Sequence, residues 1–178
     1  MTKTETTTRA AQATDTDTIF ANPYAFGGRG FYFTTLDEYQ EGMLRLWPHD
    51  VEEVELSYCD GPHCELFNAA GIGQATISQW FDLLDTIEDY QLPALHYLLD
   101  NQGETLSEAL EHLDDVMLHE GDAESYAYEY MDDSGMLDAL PEQLKYYFDY
   151  KAFTRDMVLN GDVTEFEYDG TTYTAQGV

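Results

Sequence analysis

Thr164-Glu165-Phe166-Glu167-Tyr168-Asp169-Gly170-Thr171-Thr172-Tyr173-Thr174 is the stretch that decides the fold. Two β-prone runs flank Asp169-Gly170, and an Asp-Gly pair in that setting predicts a hairpin closed by a type I′ turn. Working upstream, residues 149–159 carry an amphipathic helical pattern that Asn160-Gly161 ends. Leu140-Pro141 opens another turn of helix, and Asp122 to about Met131 predicts a helix with Tyr126, Ala127 and Tyr130 inward. Val116-Met117-Leu118-His119 is short and apolar, as a strand would be. Residues 114–178 therefore predict a C-terminal α+β domain.

Before it, residues 71–113 are helical in pattern. Ile77, Trp80, Phe81, Leu84 and Ile87 recur at spacings of three and four, one apolar stripe with Asp82, Asp85, Glu88 and Asp89 on other faces. A second helix runs through Leu92, Leu95, His96, Leu98 and Leu99, and a third from Thr105 through Leu113. Residues 19–70 predict an N-terminal α+β domain. Gly30-Phe31-Tyr32-Phe33-Thr34 reads as a strand, and Thr35 with Glu38 forms a capping box for a helix from Leu36 to about Leu46. Alternation over 51–58 predicts a half-buried strand with an acidic outer face, and Cys64-Glu65-Leu66-Phe67 reads as a returning strand after the Asp60-Gly61 turn. Residues 1–18 are Thr-rich without apolar periodicity, a disordered leader. No internal repeat is present. The expectation is an α+β chain of three small subdomains with a highly acidic surface.

Charge then narrows the function. Among 178 residues there are 7 Lys and Arg against 36 Asp and Glu, a formal net charge of −29 at pH 7. Hydrophobic residues at 43% and aromatics at 14% are too many for a disordered acidic tail. The missing basic surface excludes direct nucleic-acid binding. No apolar run reaches the length of a membrane span, and the Thr-rich start lacks the apolar core of a secretion signal, which points to the cytoplasm. Self-repulsion at this charge favours an elongated molecule over a sphere. Between Arg45 and Lys145 lie 99 residues without Lys or Arg, carrying 24 Asp or Glu. Ordinary helices intersperse both signs because pairs three or four residues apart are stabilising. A merely solvated surface accounts for single acidic clusters, not for so long an exclusion of cations, so the anionic field is read as the functional feature.

Chemistry of other kinds is unsupported. Gly27-Gly28-Arg29-Gly30 lacks the Gly-Lys-Ser/Thr of a phosphate loop. Cys59, His63 and Cys64 supply three metal-ligand types in six residues, without the fourth ligand of a structural zinc site. Neither Asp15-Thr16-Asp17 nor Glu120-Gly121-Asp122 fits a calcium loop, and no nucleophile motif appears. Catalytic, cofactor and metal residues are expected to be none; the chain is not read as an enzyme.

Fixed carboxylates can imitate a duplex. DNA carries about one charge per 1.7 Å of axis, so 29 charges in a line would match roughly 50 Å of it. Carboxylates three or four residues apart on a helix stand about 5–6 Å from each other, near the spacing of phosphates. The candidate mimic residues are Glu52, Glu53, Glu55, Asp82, Asp85, Glu88, Asp89, Glu104 and Glu108. They continue with Glu111, Asp114, Asp115, Glu120, Asp122, Glu124, Glu129, Asp132 and Asp133.

The run from Leu140-Pro141-Glu142-Gln143-Leu144-Lys145 through Tyr146-Tyr147-Phe148-Asp149-Tyr150-Lys151 to Ala152-Phe153-Thr154-Arg155-Asp156-Met157, followed by Gly161-Asp162 and the hairpin, resembles the antirestriction motif region of the ArdA family. Residues 73–84 and 95–111 are similar to that family's middle domain, so the resemblance covers about residues 71–178. At the N-terminal side Gly30-Phe31-Tyr32-Phe33 stands where family members often carry a Tyr-Asn-x-Gly…Gly-x-Trp opening. The resemblance implies an elongated homodimer of three-domain chains that mimics bent B-form DNA. Such proteins are carried on plasmids, transposons and phages. They inhibit type I restriction–modification enzymes in the cytoplasm by filling the DNA groove of the specificity and methyltransferase subunits. It also implies pairing of two chains through the C-terminal domain, placed at Tyr147, Phe148, Asp149, Tyr150, Phe153 and Arg155, although core packing of the 141–157 segment explains the same residues equally well. Lys145, Lys151 and Arg155 cluster there, where two anionic chains need local relief. Three readings stay open beside it: mimicry aimed at another DNA-binding protein, salt adaptation without any groove partner, and a small metal-binding enzyme using Cys59, His63 and Cys64.

Overall fold

Residues 16–24, 28–46, 52–138 and 141–177 are described by the computed structural model. The Thr-rich leader as far as residue 15 lies outside the described residues, as do Val51 and Leu140. The chain divides into two compact units, residues 1–85 and 86–178, and the division falls inside the segment 71–113 that its helical pattern sets apart.

The first unit is built on a three-stranded antiparallel sheet. Strand β1 (Thr18–Pro23) lies between β2 (Phe31–Phe33) and β3 (Val54–Asp60), with Ile19 opposite Phe33 and Tyr58, and Ala21 opposite Phe31 and Leu56. Alternation along β1 buries Ile19, Ala21 and Pro23. Helix α1 (Leu36–Leu46) starts at the expected box: the Glu38 N–H donates to Thr35 Oγ1 at 3.2 Å, while Glu38 Oε2 accepts from the Thr34 N–H at 2.7 Å. Residues 64–67, expected as a strand, instead belong to helix α2 (Cys64–Ala69). The helix wins because it buries Leu66 and Phe67 together, with the Phe67 ring edge-on at 5.3 Å to Trp80 of α3 (Ile77–Leu84). Phe33, Leu66, Ile19 and Trp80 are fully buried. The apolar stripe expected to run on to Ile87 closes with α3 at Leu84.

In the second unit a 3₁₀ turn (Asp89–Gln91) leads into α4 (Leu92–His96), which continues as a wide π turn over Tyr97–Asn101. Every residue from Pro93 to Leu99 is buried. That explains a segment with hydrophobic residues on all sides, since a helix apolar all round has no solvent face. Helix α5 (Leu106–His112) follows, capped by Thr105. The second sheet is antiparallel in the order β4 (Met117–Glu120), β6 (Thr171–Gln176), β5 (Thr164–Tyr168). Its hairpin has the expected turn: Asp169 and Gly170 both take positive φ, 48° and 71°, as a type I′ turn requires. Rings of the buried segment pack on β5, His96 at 5.1 Å from Tyr168 and Tyr97 at 5.3 Å from Phe166. Helices α6 (Ala123–Asp133), α7 (Glu142–Lys145) and α8 (Tyr150–Asn160) complete the unit, and Gly161 ends α8 with φ 79°. Ala123 and Ala127 of α6 meet Met157 and Val163, with Tyr126, Tyr130 and Phe153 packed around them.

Among the described residues, Trp80 is the largest side chain without solvent exposure. Trp80→Ala is expected to cost about 3–5 kcal/mol. Urea unfolding followed by far-UV circular dichroism should show the loss as a lowered midpoint, and an unchanged midpoint would disprove the packing described.

Candidate acidic surface and C-terminal motif

The candidate carboxylates divide by what holds them. Glu52 and Glu53 lead into β3 and Glu55 stands on its outer side; all three are exposed. Asp82 lies on α3 and Asp85 caps its C-terminus, both exposed. Glu88 and Asp89 open the 3₁₀ turn, where the Glu88 N–H donates to Gln91 Oε1 at 3.1 Å. Glu108 and Glu111 face solvent on α5, Asp114 and Asp115 on the turn behind it, Glu120 at the end of β4, and Glu129, Asp132 and Asp133 on α6. Glu104 and Glu124 are half-buried.

Several of these groups are fixed by capping. Glu108 Oε2 accepts from Thr105 Oγ1 at 2.7 Å and from the Thr105 N–H at 3.0 Å. Asp122 Oδ1 accepts from the Ser125 N–H at 2.8 Å at the start of α6. Asp149 does the same for the Ala152 N–H at 3.0 Å at the start of α8. Hydrogen bonds from the Thr105 side chain hold the Glu108 pKa below the usual carboxylate value, and the Ser125 N–H does so for Asp122. Glu38, outside the expected set, is lowered in the same way by the Thr34 N–H. Carboxylates that donors favour in their charged form stay charged to lower pH, and their contribution to stability disappears only as pH falls through the lowered pKa.

Over the stretch without Lys or Arg, three histidines stand within hydrogen-bond distance of carboxylates. His112 Nδ1 lies 2.8 Å from Glu104 Oε1, His119 Nδ1 3.1 Å from Glu129 Oε2, and His63 Nδ1 3.0 Å from Asp17 Oδ2. Asp17, placed by composition at the end of the leader, is buried and also receives the Tyr58 hydroxyl. Burial first, and this hydrogen bond second, push the Tyr58 pKa far up. Residues 16–18 thus belong to the first unit's fold. Cys59 and Cys64 are exposed free thiols, and His63 turns its Nδ1 to Asp17. No group of three or more His, Cys, Asp or Glu among the described residues could hold a metal ion.

The C-terminal motif separates into half-buried, packed rings and presented ones. Tyr150 stacks on Tyr128 with centroids 4.0 Å apart, Phe148 meets Tyr150 and Phe153 at 4.8 and 5.7 Å, and Phe153 lies at 6.4 Å from Tyr130. Those rings complete the unit's own packing. Tyr147 and Arg155 are exposed, with Arg155 Nη2 3.0 Å from Asp156 Oδ1. Beside them the structure presents Tyr146 (91% exposed), Leu144 and Leu159, which the sequence reading left out. Their helical spacing was legible, but not which rings the neighbouring turn would leave outside. Lys145 reaches Glu142 at 3.2 Å and Asp138 at 3.4 Å.

The profile of the antirestriction protein (ArdA) family matches residues 46–171, well over half of the chain. The chain belongs to the ArdA antirestriction family. The ArdA match takes in every carboxylate of the candidate surface and the whole 141–157 motif. Membership makes restriction enzymes its partners in general terms. A search of curated proteins finds no match. No helix among the described residues is long and apolar enough to cross a membrane.

The hydrogen bond to the Glu104 carboxylate raises the His112 pKa above its ordinary 6.5. A raised pKa in the folded state adds stability that is fully present below the unfolded value and is lost as pH rises through the folded one. His112→Gln should therefore destabilise most at about pH 6 and least at about pH 9. Thermal melts of both proteins across that range check it, and a pH-independent difference would contradict the pairing.

Proposed function

We propose that this chain inhibits type I restriction–modification enzymes as a DNA mimic, occupying the duplex groove of their specificity and methyltransferase subunits. One observation carries the reading: 24 acids and no Lys or Arg between Arg45 and Lys145, with all but two of the candidate carboxylates exposed. A groove that binds DNA is a cationic surface with its own counterions, and an array of fixed carboxylates releases them as phosphates do. Capping supports the reading further, because a carboxylate already held by Thr105 or Ser125 loses less freedom on binding than a mobile one. Pairs such as Glu108 with Glu111 and Glu129 with Asp132 or Asp133 stand three or four residues apart on exposed helix faces, the separation that imitates neighbouring phosphates.

In this reading the protein carries out no reaction, acts in the cytoplasm where its targets are, and travels with mobile genetic elements. It works as an elongated homodimer. The presented rings Tyr146 and Tyr147 beside Lys145, Lys151 and Arg155 support the pairing surface, since an apolar patch with local cations is where two anionic chains repel least.

Expression of the chain in a type I restricting host should raise the plating efficiency of unmodified phage by orders of magnitude. The same assay on a host without restriction should show no change. Equal restriction with and without the protein would reject the reading.

A further inference from the structure

The N-terminal sheet turns one face to its helices and leaves the other to solvent. Along β1, Ile19 and Ala21 go inward, so Phe20 and Asn22 share the outer face. Phe20 stands opposite Tyr32 of β2 and Ser57 of β3, and the Phe20 and Tyr32 rings meet with centroids 4.7 Å apart. Tyr32 is 68% exposed. The Phe20 ring fills the space that a Cβ on Gly30 would need, so the pair is seated against backbone and not loosely draped. Asn22 lies opposite Glu55, and one step on, the Tyr24 N–H donates to the Glu53 carbonyl at 3.2 Å. Glu53 and Glu55 are both exposed. Half-buried Phe20 and exposed Tyr32 thus share one sheet face with Glu53 and Glu55, Phe20 standing between Tyr32 and the carboxylates. Phe20, Tyr24 and Tyr32 all precede residue 46, where the ArdA match begins, so this aromatic row stands apart from the matched segment.

Rings and carboxylates side by side select one chemistry. An aromatic face attracts a cation through its quadrupole, and a guanidinium stacks flat on it while its edge bonds a carboxylate. Phe20, on the central strand, is the diagonal neighbour of Glu55, about 7–8 Å away and within the span of one arginine side chain, while Tyr32 extends the ring surface one strand further out. A strand face with charge alone would bind lysine and arginine by point charge; the rings favour the planar cation. At a net charge of −29, an anionic or nucleic-acid occupant is repelled.

We propose that this open face, Phe20 and Tyr32 beside Glu53 and Glu55, is a docking surface for arginine side chains presented by the basic groove of the restriction enzyme. It deepens the groove-mimic reading and rests on that reading for the identity of the partner.

The test measures affinity of the full chain and of Tyr32→Leu, Tyr32→Phe and Glu55→Gln for a type I methyltransferase core, and separately for an oligo-arginine peptide, at several salt concentrations. Tyr32→Leu should weaken both by about three- to thirty-fold with an unchanged slope of log affinity against log salt, because no charge is removed. Tyr32→Phe should match the parent, and Glu55→Gln should lower both affinity and slope. Circular dichroism confirms folding of each variant. Parent-like binding by Tyr32→Leu overturns the proposal and leaves groove mimicry standing. Tyr32-dependent peptide binding by a parent that ignores the enzyme core keeps the arginine surface and rejects its assignment to the restriction partner. A change in the oligomeric state of Tyr32→Leu with binding unaltered makes the face a self-contact and overturns the proposal as well.

Discussion

The structure depends on one electrostatic constraint: 24 carboxylates must coexist over 99 residues that contain no Lys or Arg. Exposed acids separated by water and salt repel weakly, so the fold can carry them provided they stay outside and the interior supplies the cohesion. Both units meet that condition. One closes on Phe33, Leu66 and Trp80, the other on Leu95, Leu98 and the rings of β5. Charge and packing are kept on separate residues, so the surface can be tuned for a partner without reopening the cores.

A second consequence follows from how the acids are tied down. Glu38, Glu108, Asp122 and Asp149 each satisfy helix N-terminal N–H groups, which gives a carboxylate a favourable electrostatic setting inside an unfavourable overall field. Histidines serve where Lys and Arg are absent: His63, His112 and His119 each face one carboxylate. A histidine offers a hydrogen-bond donor without imposing a permanent positive charge on the surface.

Legibility in the sequence tracked the range of the deciding interaction. The Asp169-Gly170 hairpin, the helix starts at Thr35 and Thr105 and the Gly161 stop are set by residues within four positions, and all were read from the sequence; the Thr105–Glu108 box itself was not. Strand β1 was missed although it is the centre of its sheet, because Thr18–Pro23 carries a weak pattern and is held by partners at 31–33 and 54–60. Cys64–Ala69 is helical because of Trp80, a contact that local propensity does not contain. The buried run from Pro93 to Leu99 was readable as helix, but its packing on residues 166 and 168 was not. Among the site residues, exposed acids could be anticipated from their charge. The half-burial of Glu104, the outward turn of Tyr146 and the Phe20–Tyr32 face depend on register and tertiary neighbours.

The salt dependence of binding goes to the heart of this account. Affinity for a type I methyltransferase core, measured by titration calorimetry between about 50 and 200 mM salt, should fall about a thousandfold or more if carboxylates replace several phosphate contacts. The fall should be linear in log salt and reversed on dilution. An affinity that stays constant over that range would contradict it, because no surface that imitates the phosphate backbone can be indifferent to the ions it displaces.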